Sequence, residues 1–262
     1  MRVAVISPHA CNNGNTTLAM LIGLEFASQN KLTCLTHIKP TSPSFYKYLS
    51  FKSYEDKTST PSQIVKILKE GGLTGDEARD YCKQITDDLE AFTNQTTNFN
   101  QDDMNFMFRY IAKAFPHEHV IFDVDDDNLE QCAAVIKLCD VIVLNLTQSV
   151  KELDEFRANK EKYMAVFGSK PMVVVVNQFN SVCGSLQDVA KWMGIKKPNG
   201  WVVLHQNPWI RWATNKGKLN SLFNNILKKD PRVMELQSDL FKICSTIARA
   251  KATGDKKRGG HK

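Results

Sequence analysis

The residues best suited to chemistry lie in a short polar stretch, Ser7–Thr17, between an apolar strand-like run and an apolar helical run. The stretch reads SPHACNNGNTT and ends in Gly14-Asn15-Thr16-Thr17. A loop between a strand and a helix can wrap phosphate with its backbone N–H groups, while a hydroxyl at the helix start holds Mg²⁺. The position therefore predicts a phosphate-binding loop with Thr16 as a metal ligand. Taken alone, the pattern is equally typical of a turn with a threonine helix cap.

Polar residues at the ends of later apolar runs would complete such a site. Asp123 ends the run VIFDV, where a second carboxylate would reach Mg²⁺ or its water, and Asn177 ends MVVVVN. Asn207 and Pro208 belong to the segment LHQNPWIRWATNKGK that follows the last run. The acidic residues 125–127 offer a two-metal alternative, but Asp-rich turns after strands are common, so Asp123 is the preferred ligand.

Six short runs rich in β-branched and aliphatic residues predict the strands that position these groups. Most are continuously apolar, which is typical of strands buried on both faces, and helical segments lie between them. This alternation predicts a doubly wound, mostly parallel α/β sheet flanked by helices. The runs cover residues 2–6, 32–36, 119–124, 141–146, 172–176 and 201–205.

The segment between the second and third runs is too long for a simple crossover and predicts a helical subdomain over about residues 43–118. Ile64, Ile67 and Leu68 share one helical face, and a Thr74–Glu77 capping box begins a second helix. That second helix would continue through Ala78, Tyr81, Ile85 and Leu89, and a third would carry Met104, Phe108, Ile111 and Phe115. Ser149 and Glu152 predict another capping box, opening a helix to about residue 166, and residues 212–229 predict a further helix. A single domain over residues 1–250 is expected.

Composition limits the function classes. The 262 residues are 42% hydrophobic, without an apolar run long enough to cross a bilayer. The seven cysteines form no CxxC pair, which favours reduced core thiols in a cytoplasmic protein. His117 and His119 have no cysteine at zinc spacing, so no metal site is expected there. The net charge of +6 is concentrated in residues 251–262, KATGDKKRGGHK, which predict a basic, disordered tail.

These motifs, in this order, resemble the ParA/MinD family of P-loop ATPases, whose deviant Walker A loop reads Lys-Gly-Gly-x-Gly-Lys-Thr-Thr. The resemblance covers residues 1–230 and implies a P-loop NTPase-like fold that binds ATP or ADP with Mg²⁺. It implies metal contacts from Thr16 and Asp123, and adenine contacts from Asn177, Asn207 and Pro208. The nucleotide-binding residues expected in the loop are His9, Cys11, Asn12, Asn13, Gly14, Asn15, Thr16 and Thr17. His9 is included as the one chargeable loop residue, and it could equally be an exposed loop histidine.

The sequence departs from the family pattern at the residues that carry charge. Ala10 and Asn15 stand where the two lysines are expected, and Cys11 and Asn12 replace glycines. The aspartate that the family has after its second strand is missing. Lys39 lies near that place, either as a replacement cation or as a solvated surface residue. Because each charge-assisted hydrogen bond contributes about 1.5–3 kcal/mol, this degenerate loop predicts weakened nucleotide binding and slow or absent hydrolysis.

Three functions remain open from the sequence. The first is a positioning or scaffold protein, a homodimer that docks partners on the helical subdomain. It is similar to ParA-like proteins of bacterial mobile elements and to those that place pilus or conjugation machinery. The second is an active DNA-segregating ATPase whose basic C-terminal end grips phosphates. The third is recruitment to an anionic membrane through the apolar stripe of residues 233–247; packing of that helix on the sheet would give the same stripe. Recruitment to the nucleoid, the cell pole or the membrane would follow accordingly.

Overall fold

A computed structural model of the chain describes residues 1–8, 14–37, 48, 61–92, 101–124 and 129–259. Within these residues, eight strands form one sheet in the order β3-β4-β2-β5-β1-β6-β7-β8. All neighbours are parallel except the edge pair β3 and β4. The strands are β1 (Arg2–Ile6), β2 (Thr33–His37), β3 (Lys83–Thr86), β4 (Leu89–Phe92), β5 (His119–Val124), β6 (Val141–Leu146), β7 (Met172–Phe179) and β8 (Val202–His205).

Helices cover both faces of this sheet, which confirms the predicted doubly wound α/β class. One face carries α1 (Asn15–Ala27), α9 (Pro208–Lys216), α10 (Leu219–Leu227) and α11 (Met234–Gly259). The opposite face carries α2 (Pro61–Lys69), α3 (Gly75–Arg79), α4 (Gln101–Ala114), α5 (Leu129–Ile136), α6 (Val150–Ala158), α7 (Lys160–Phe167) and α8 (Leu186–Trp192).

The six predicted strands are all present, because their sequences suit burial on both faces. Every residue of β2 and β6 is buried, as are the four residues of β1 after Arg2. Helix α1 is also buried nearly throughout, from Thr17 to Ala27, because it lies between the sheet and α11. The continuous apolar runs therefore report central strands of a covered sheet.

The insertion after β2 is only partly helical, which corrects the predicted helical subdomain. The Thr74–Glu77 capping box is present, but its helix α3 ends at Arg79. Ile85 and Leu89, expected on that helix, lie instead in β3 and β4. Strand β4 pairs with the otherwise open edge of β2 and is buried along its whole length. Long-range pairing and burial thus outweighed a local helical periodicity.

The C-terminal end also differs from the prediction of a disordered tail. Helix α11 continues to Gly259, so residues 251–259 are helical. A Cβ on Gly254 would lie 2.5 Å from Pro171 Cγ, so this part of the helix packs closely beside the start of β7. The stripe predicted either for the core or for a membrane is in the core. Its members Val233, Leu236, Leu240, Ile243 and Ile247 are at most 1% exposed.

Two smaller predictions were wrong at helix ends. The helix expected over residues 212–229 is two helices, since Gly217 ends α9 in the left-handed conformation with φ 62°. The helix expected from Ser149 to about 166 is interrupted at Asn159, between α6 and α7. Within the described residues, no helix combines the length and the apolar character that crossing a bilayer requires.

Candidate nucleotide site

The described residues at the two ends of the predicted phosphate loop, 7–8 and 14–17, lie near the carboxyl ends of the central strands. Strand β1 pairs with β5 on one side and β6 on the other, so the order of strands reverses at β1. In open α/β sheets, ligands bind outside the carboxyl ends at this switch point. Gly14 precedes α1 with φ 72°, and a Cβ there would lie 3.0 Å from Asn177 Nδ2. Both features favour glycine at this position.

The carboxylate of Asp123 is the centre of a hydrogen-bond network at this edge. Asp123 is 1% exposed. Asn15 Nδ2 donates to its Oδ1 at 2.7 Å, and Thr16 Oγ1 donates to its Oδ2 at 2.7 Å. His37 Nδ1 lies 2.7 Å from the same Oδ2 and donates when it carries the proton. The chain itself therefore supplies three polar partners to one buried carboxylate.

Sequence reasoning missed His37 and looked to Lys39 instead. His37 is the last residue of β2, and the parallel register places it beside Asp123 in β5. Side chains that are directly paired on neighbouring strands share one face of the sheet. A polar residue ending β2 was a usable signal, but only once β2 and β5 were known to be neighbours. Lys39 lies outside the described residues.

Asn15 occupies the place where the resemblance implies a lysine. Besides Asp123, its amide nitrogen lies 3.1 Å from Val5 O and 3.2 Å from Val124 O. The side chain therefore ties the ends of β1 and β5 together, but it carries no charge to offer a phosphate. Where the family resemblance implies a lysine, the chain therefore has a neutral side chain that bonds to the protein itself.

The metal ligands predicted from the sequence, Thr16 and Asp123, are in contact. A hydroxyl that donates its proton to a carboxylate keeps its oxygen lone pairs for another partner. Thr16 could thus bind Mg²⁺ through Oγ1 while remaining bonded to Asp123, as hard oxygen ligands suit this ion. The pair fits a magnesium ion held with nucleotide phosphates.

A cleft of about 780 Å³ opens beside Gly14 and contains the remaining described candidates. Its volume lies within the range of small-molecule and cofactor sites. Asn177 is 5% exposed, and its Oδ1 accepts a hydrogen bond from Gln178 N at 2.8 Å. Asn207 Oδ1 accepts from Trp209 N and caps α9 at its first turn, with Pro208 following. The described lining residues are Gly14, Thr17, Leu18, Tyr48, Asn177, Gln178, Leu204, His205, Gln206, Asn207, Pro208, Ile210, Arg211, Thr214 and Asn215.

A second buried carboxylate, Glu152, lies at the beginning of the loop and was misassigned from the sequence. Ser149 makes no side-chain cap, so the predicted capping box is absent. Glu152 is 3% exposed and accepts hydrogen bonds from Thr147 Oγ1 and, at 3.3 Å, from Ser7 Oγ. The Tyr163 hydroxyl donates to Pro8 O at 3.3 Å. Helices α6 and α7 thus hold the residues from which the loop departs.

Several predicted site residues fall outside the described part of the chain. They are His9, Cys11, Asn12 and Asn13 of the loop, together with Ala10 and the acidic residues 125–127. Their roles stay predictions. The structure brings together Gly14, Asn15, Thr16, Asp123 and Asn177 at one edge of the sheet, with Thr17, Asn207 and Pro208 along the same cleft.

Comparison with known proteins shows similarity in structure rather than in sequence. No protein-family model matches the chain, and no curated protein is significantly similar in sequence. A ParA family ATPase from Chlorobium tepidum aligns with a TM-score of 0.68 at 13% identity, covering 91% of this chain and 95% of that one. The septum site-determining protein MinD from Pyrococcus horikoshii, solved with Mg-ADP, gives 0.66 at 10% identity, covering 93% and 95%.

The MinC:MinD cell division complex of Aquifex aeolicus gives a TM-score of 0.67 at 14% identity, covering 94% of this chain and 96% of that one. Such coverage means that the whole sheet and its helices align, not a shared motif alone. The chain therefore has the ParA/MinD-like fold, as the resemblance in sequence implied. Identities this low show the fold and leave the activity to the site.

Proposed function

We propose that this chain is a ParA/MinD-like positioning or scaffold protein that binds ATP or ADP weakly or not at all and hydrolyses little. The observation that supports this most directly is the bond between Asn15 and Asp123. At the position where the family resemblance implies a lysine, a neutral amide is committed to the buried carboxylate. The described part of the site therefore occupies the position of a nucleotide site in the fold but lacks a positive charge at Asn15.

Some capacity to bind nucleotide is retained in this proposal. The start of α1 faces the cleft, and a helix N-terminus favours anions through its unpaired N–H groups. Thr16 and Asp123 would hold Mg²⁺, which supplies charge neutralisation to bound phosphates. Asn177 and the segment from Asn207 would contact the base from the other side of the cleft. Of the described lining residues, Arg211 carries the positive charge available to a ligand.

Hydrolysis would suffer more than binding. Phosphoryl transfer depends on fixed charges aimed at the oxygens where negative charge develops. Removing one preorganised stabiliser typically costs about 10²–10³ in rate, and Asn15 replaces such a cation. The aspartate that the family has after its second strand is also missing. His37 ends β2 and is bonded to Asp123. A nucleotide would then act as a structural or switching ligand.

The positioning role follows from the fold neighbours as an analogy. Among them are a septum site-determining protein, a cell division complex of two proteins, and a putative plasmid partition protein from Borrelia burgdorferi bound to AMPPNP. By that analogy the chain would form a homodimer and dock a protein partner on the insertion that contains α2–α4. DNA partition, conjugation or pilus machinery would be the process served, in the cytoplasm or at a surface to which the protein is recruited.

One observation favours the DNA-segregating alternative. The basic C-terminal segment is helical to Gly259, so Lys242, Arg249 and Lys256 lie on exposed positions of a rigid element. Cations on such a helix would release counterions from DNA, and binding would weaken steeply with salt. A salt-dependent retention on random-sequence DNA, lost when these three residues become glutamine, would support this function.

Calorimetric titration of the purified chain with Mg-ATP and Mg-ADP, with phosphate release followed in parallel, tests the main proposal. Micromolar or weaker binding with little turnover supports a scaffold that uses nucleotide as a ligand. Absence of binding supports a scaffold that acts through its surfaces alone. Turnover at the rate of an ordinary family ATPase would overturn the proposal, because it would require a cation that compensates for Asn15.

A further inference from the structure

At the amino ends of the strands, opposite the candidate nucleotide site, three metal-ligating side chains from distant parts of the chain lie close together. Cys34 lies in β2, Cys82 lies between α3 and β3, and His117 lies just before β5. Their ligand atoms all lie within 4.8 Å of one another. The expectation at His117 was based on cysteine spacing along the sequence, whereas the fold brings two cysteines to this histidine from distant positions.

Sheet pairing explains why these residues meet. Strands β4, β2 and β5 are neighbours, and Cys34 is directly paired with Glu90 on one side and Val120 on the other. Cys34 lies three positions before His37, so it points to the opposite face, near the amino end of the strand. The cluster therefore lies at the other ends of the strands from the Asp123 network, and on the other face of the sheet.

The imidazole of His117 is set up as a ligand. His117 is 2% exposed, and its Nε2 lies 2.8 Å from Glu90 Oε2. A proton on Nε2 donated to that carboxylate leaves the lone pair on Nδ1. The buried Nδ1 has no hydrogen-bond partner among the described residues. Metal-bound histidines are oriented by such a carboxylate on their second nitrogen.

The orienting carboxylate is itself held in place. Arg79 Nε donates to Glu90 Oε1 at 2.9 Å and to Oε2 at 3.1 Å. Arg79 and Glu90 are thus joined by charge-assisted hydrogen bonds, which fix the carboxylate that faces His117.

We propose that Cys34, Cys82 and His117 bind a zinc ion, with Glu90 orienting the imidazole and a water completing the tetrahedron. In a tetrahedral site with Zn–S near 2.3 Å and Zn–N near 2.0 Å, ligand atoms lie roughly 3.5–3.8 Å apart. The cluster needs only small shifts to reach this spacing. Thiolate and imidazole ligands together suit zinc, and two thiolates neutralise its charge in a buried place.

The water position follows from exposure. Cys34 and His117 are buried, whereas Cys82, between α3 and β3, is half-buried. Both cysteines are free thiols, and the Cys34 thiol otherwise lies 3.6 Å from Leu35 O, a weak contact. Zinc bound here would fasten the insertion, through Cys82, to the two central strands. Its role would be to stabilise the fold independently of the nucleotide cleft.

Zinc titration of the full chain, reduced and freed of metal, in competition with a chromophoric chelator tests this proposal. One equivalent should bind with submicromolar affinity and raise the thermal unfolding midpoint. Cobalt in its place should give a thiolate-to-metal charge-transfer band and the intense visible bands of a tetrahedral site. Glu90→Gln should weaken zinc binding about 10–100-fold, and Cys82→Ser should weaken it further.

The matched control is Cys183→Ser, which removes an exposed thiol outside the cluster and should leave zinc affinity unchanged. Cys82 is the preferred variant because it is only half-buried, and its metal-free unfolding midpoint shows whether the fold survives. Zinc affinity that is unaffected by Cys82→Ser would overturn the proposal. So would a Cys34–Cys82 disulfide, seen by mass in the purified chain, that zinc neither prevents nor displaces; that result would assign the two thiols to redox chemistry.

Discussion

The polar groups at the two ends of the strands, here called the carboxyl edge and the amino edge, differ in whether the chain supplies their hydrogen-bond partners. At the carboxyl edge, Asp123 has Asn15, Thr16 and His37 as partners, all supplied by the chain. At the amino edge, the Nδ1 of His117 is buried with two thiols nearby and has no hydrogen bond among the described residues. The same two strands, β2 and β5, supply or adjoin residues of both groups.

This difference indicates where binding of a ligand would add most to the stability of the fold. A buried polar atom without a partner costs about 1–3 kcal/mol, so a metal at His117 would remove an existing cost. At Asp123 the cost is already offset by protein donors, and a metal or nucleotide there must compete with them. The carboxyl edge should therefore be stable without ligand, whereas the amino edge should gain stability when zinc is bound.

The largest expected effect comes from removing the acceptor at the carboxyl edge. Asp123→Ala removes the acceptor shared by the buried His37 and the half-buried Asn15 and Thr16, and should lower the free energy of unfolding by about 3 kcal/mol or more. Denaturant unfolding measures this. The control Asp102→Ala removes an exposed carboxylate in α4 and should change stability by less than about 0.5 kcal/mol. Equal effects at both positions would contradict the proposed network.

The second prediction restores charge at the same edge. Asn15→Lys should raise Mg-ATP affinity about 10–100-fold, because a charge-assisted hydrogen bond to phosphate contributes about 1.5–3 kcal/mol. Calorimetry checks this against Asn224→Lys, which adds the same charge at an exposed position of α10. An affinity that rises equally in both variants would indicate general attraction rather than a site.

The third prediction concerns the glycine that brings the loop close to β7. Gly14→Ala should destabilise by about 1–2 kcal/mol, since φ is 72° and the added Cβ would lie 3.0 Å from Asn177 Nδ2. Gly194→Ala is the matched control, with φ 71° and no heavy atom within 4 Å of the added Cβ. The excess cost at Gly14 over Gly194 measures the close approach; no excess would mean that Asn177 moves freely.

The smallest expected effect concerns Glu25, another buried carboxylate, which lies on α1. Glu25 is 4% exposed, and Gln29 donates to its Oε1, while its Oε2 has no hydrogen bond among the described residues. Burial raises the pKa of Glu25 above 4.5. A folded-state pKa above the unfolded one means that stability is present at low pH and lost as pH rises through the folded value.

Glu25→Gln should therefore lose less stability than the wild type between pH 4.5 and 8, by at most about 1 kcal/mol. Urea unfolding at both pH values measures the difference. Glu161→Gln alters an exposed carboxylate of α7 and should follow the wild type. A pH dependence that Glu25→Gln leaves unchanged would show that this carboxylate finds a partner on ionisation.

The sequence alone determined the features that arise from local backbone geometry. Continuous apolar runs identified six strands, because a strand buried on both faces needs apolar side chains at every position. The polar stretch before α1 identified the candidate site, and Asp123 followed from its place at the end of a buried run. The resemblance to the ParA/MinD family was strong enough to predict the fold, which the structural neighbours confirm.

Only the tertiary structure decided which distant residues meet. The sequence did not predict the β3–β4 pair, since Ile85 and Leu89 also fit a helical period. No local pattern indicates that β4 pairs with β2. His37 became a partner of Asp123 through the register between β2 and β5. Cys34, Cys82 and His117 were brought together by sheet order. Side-chain type and period are written in the sequence, but strand pairing depends on long-range contacts that a local pattern cannot specify.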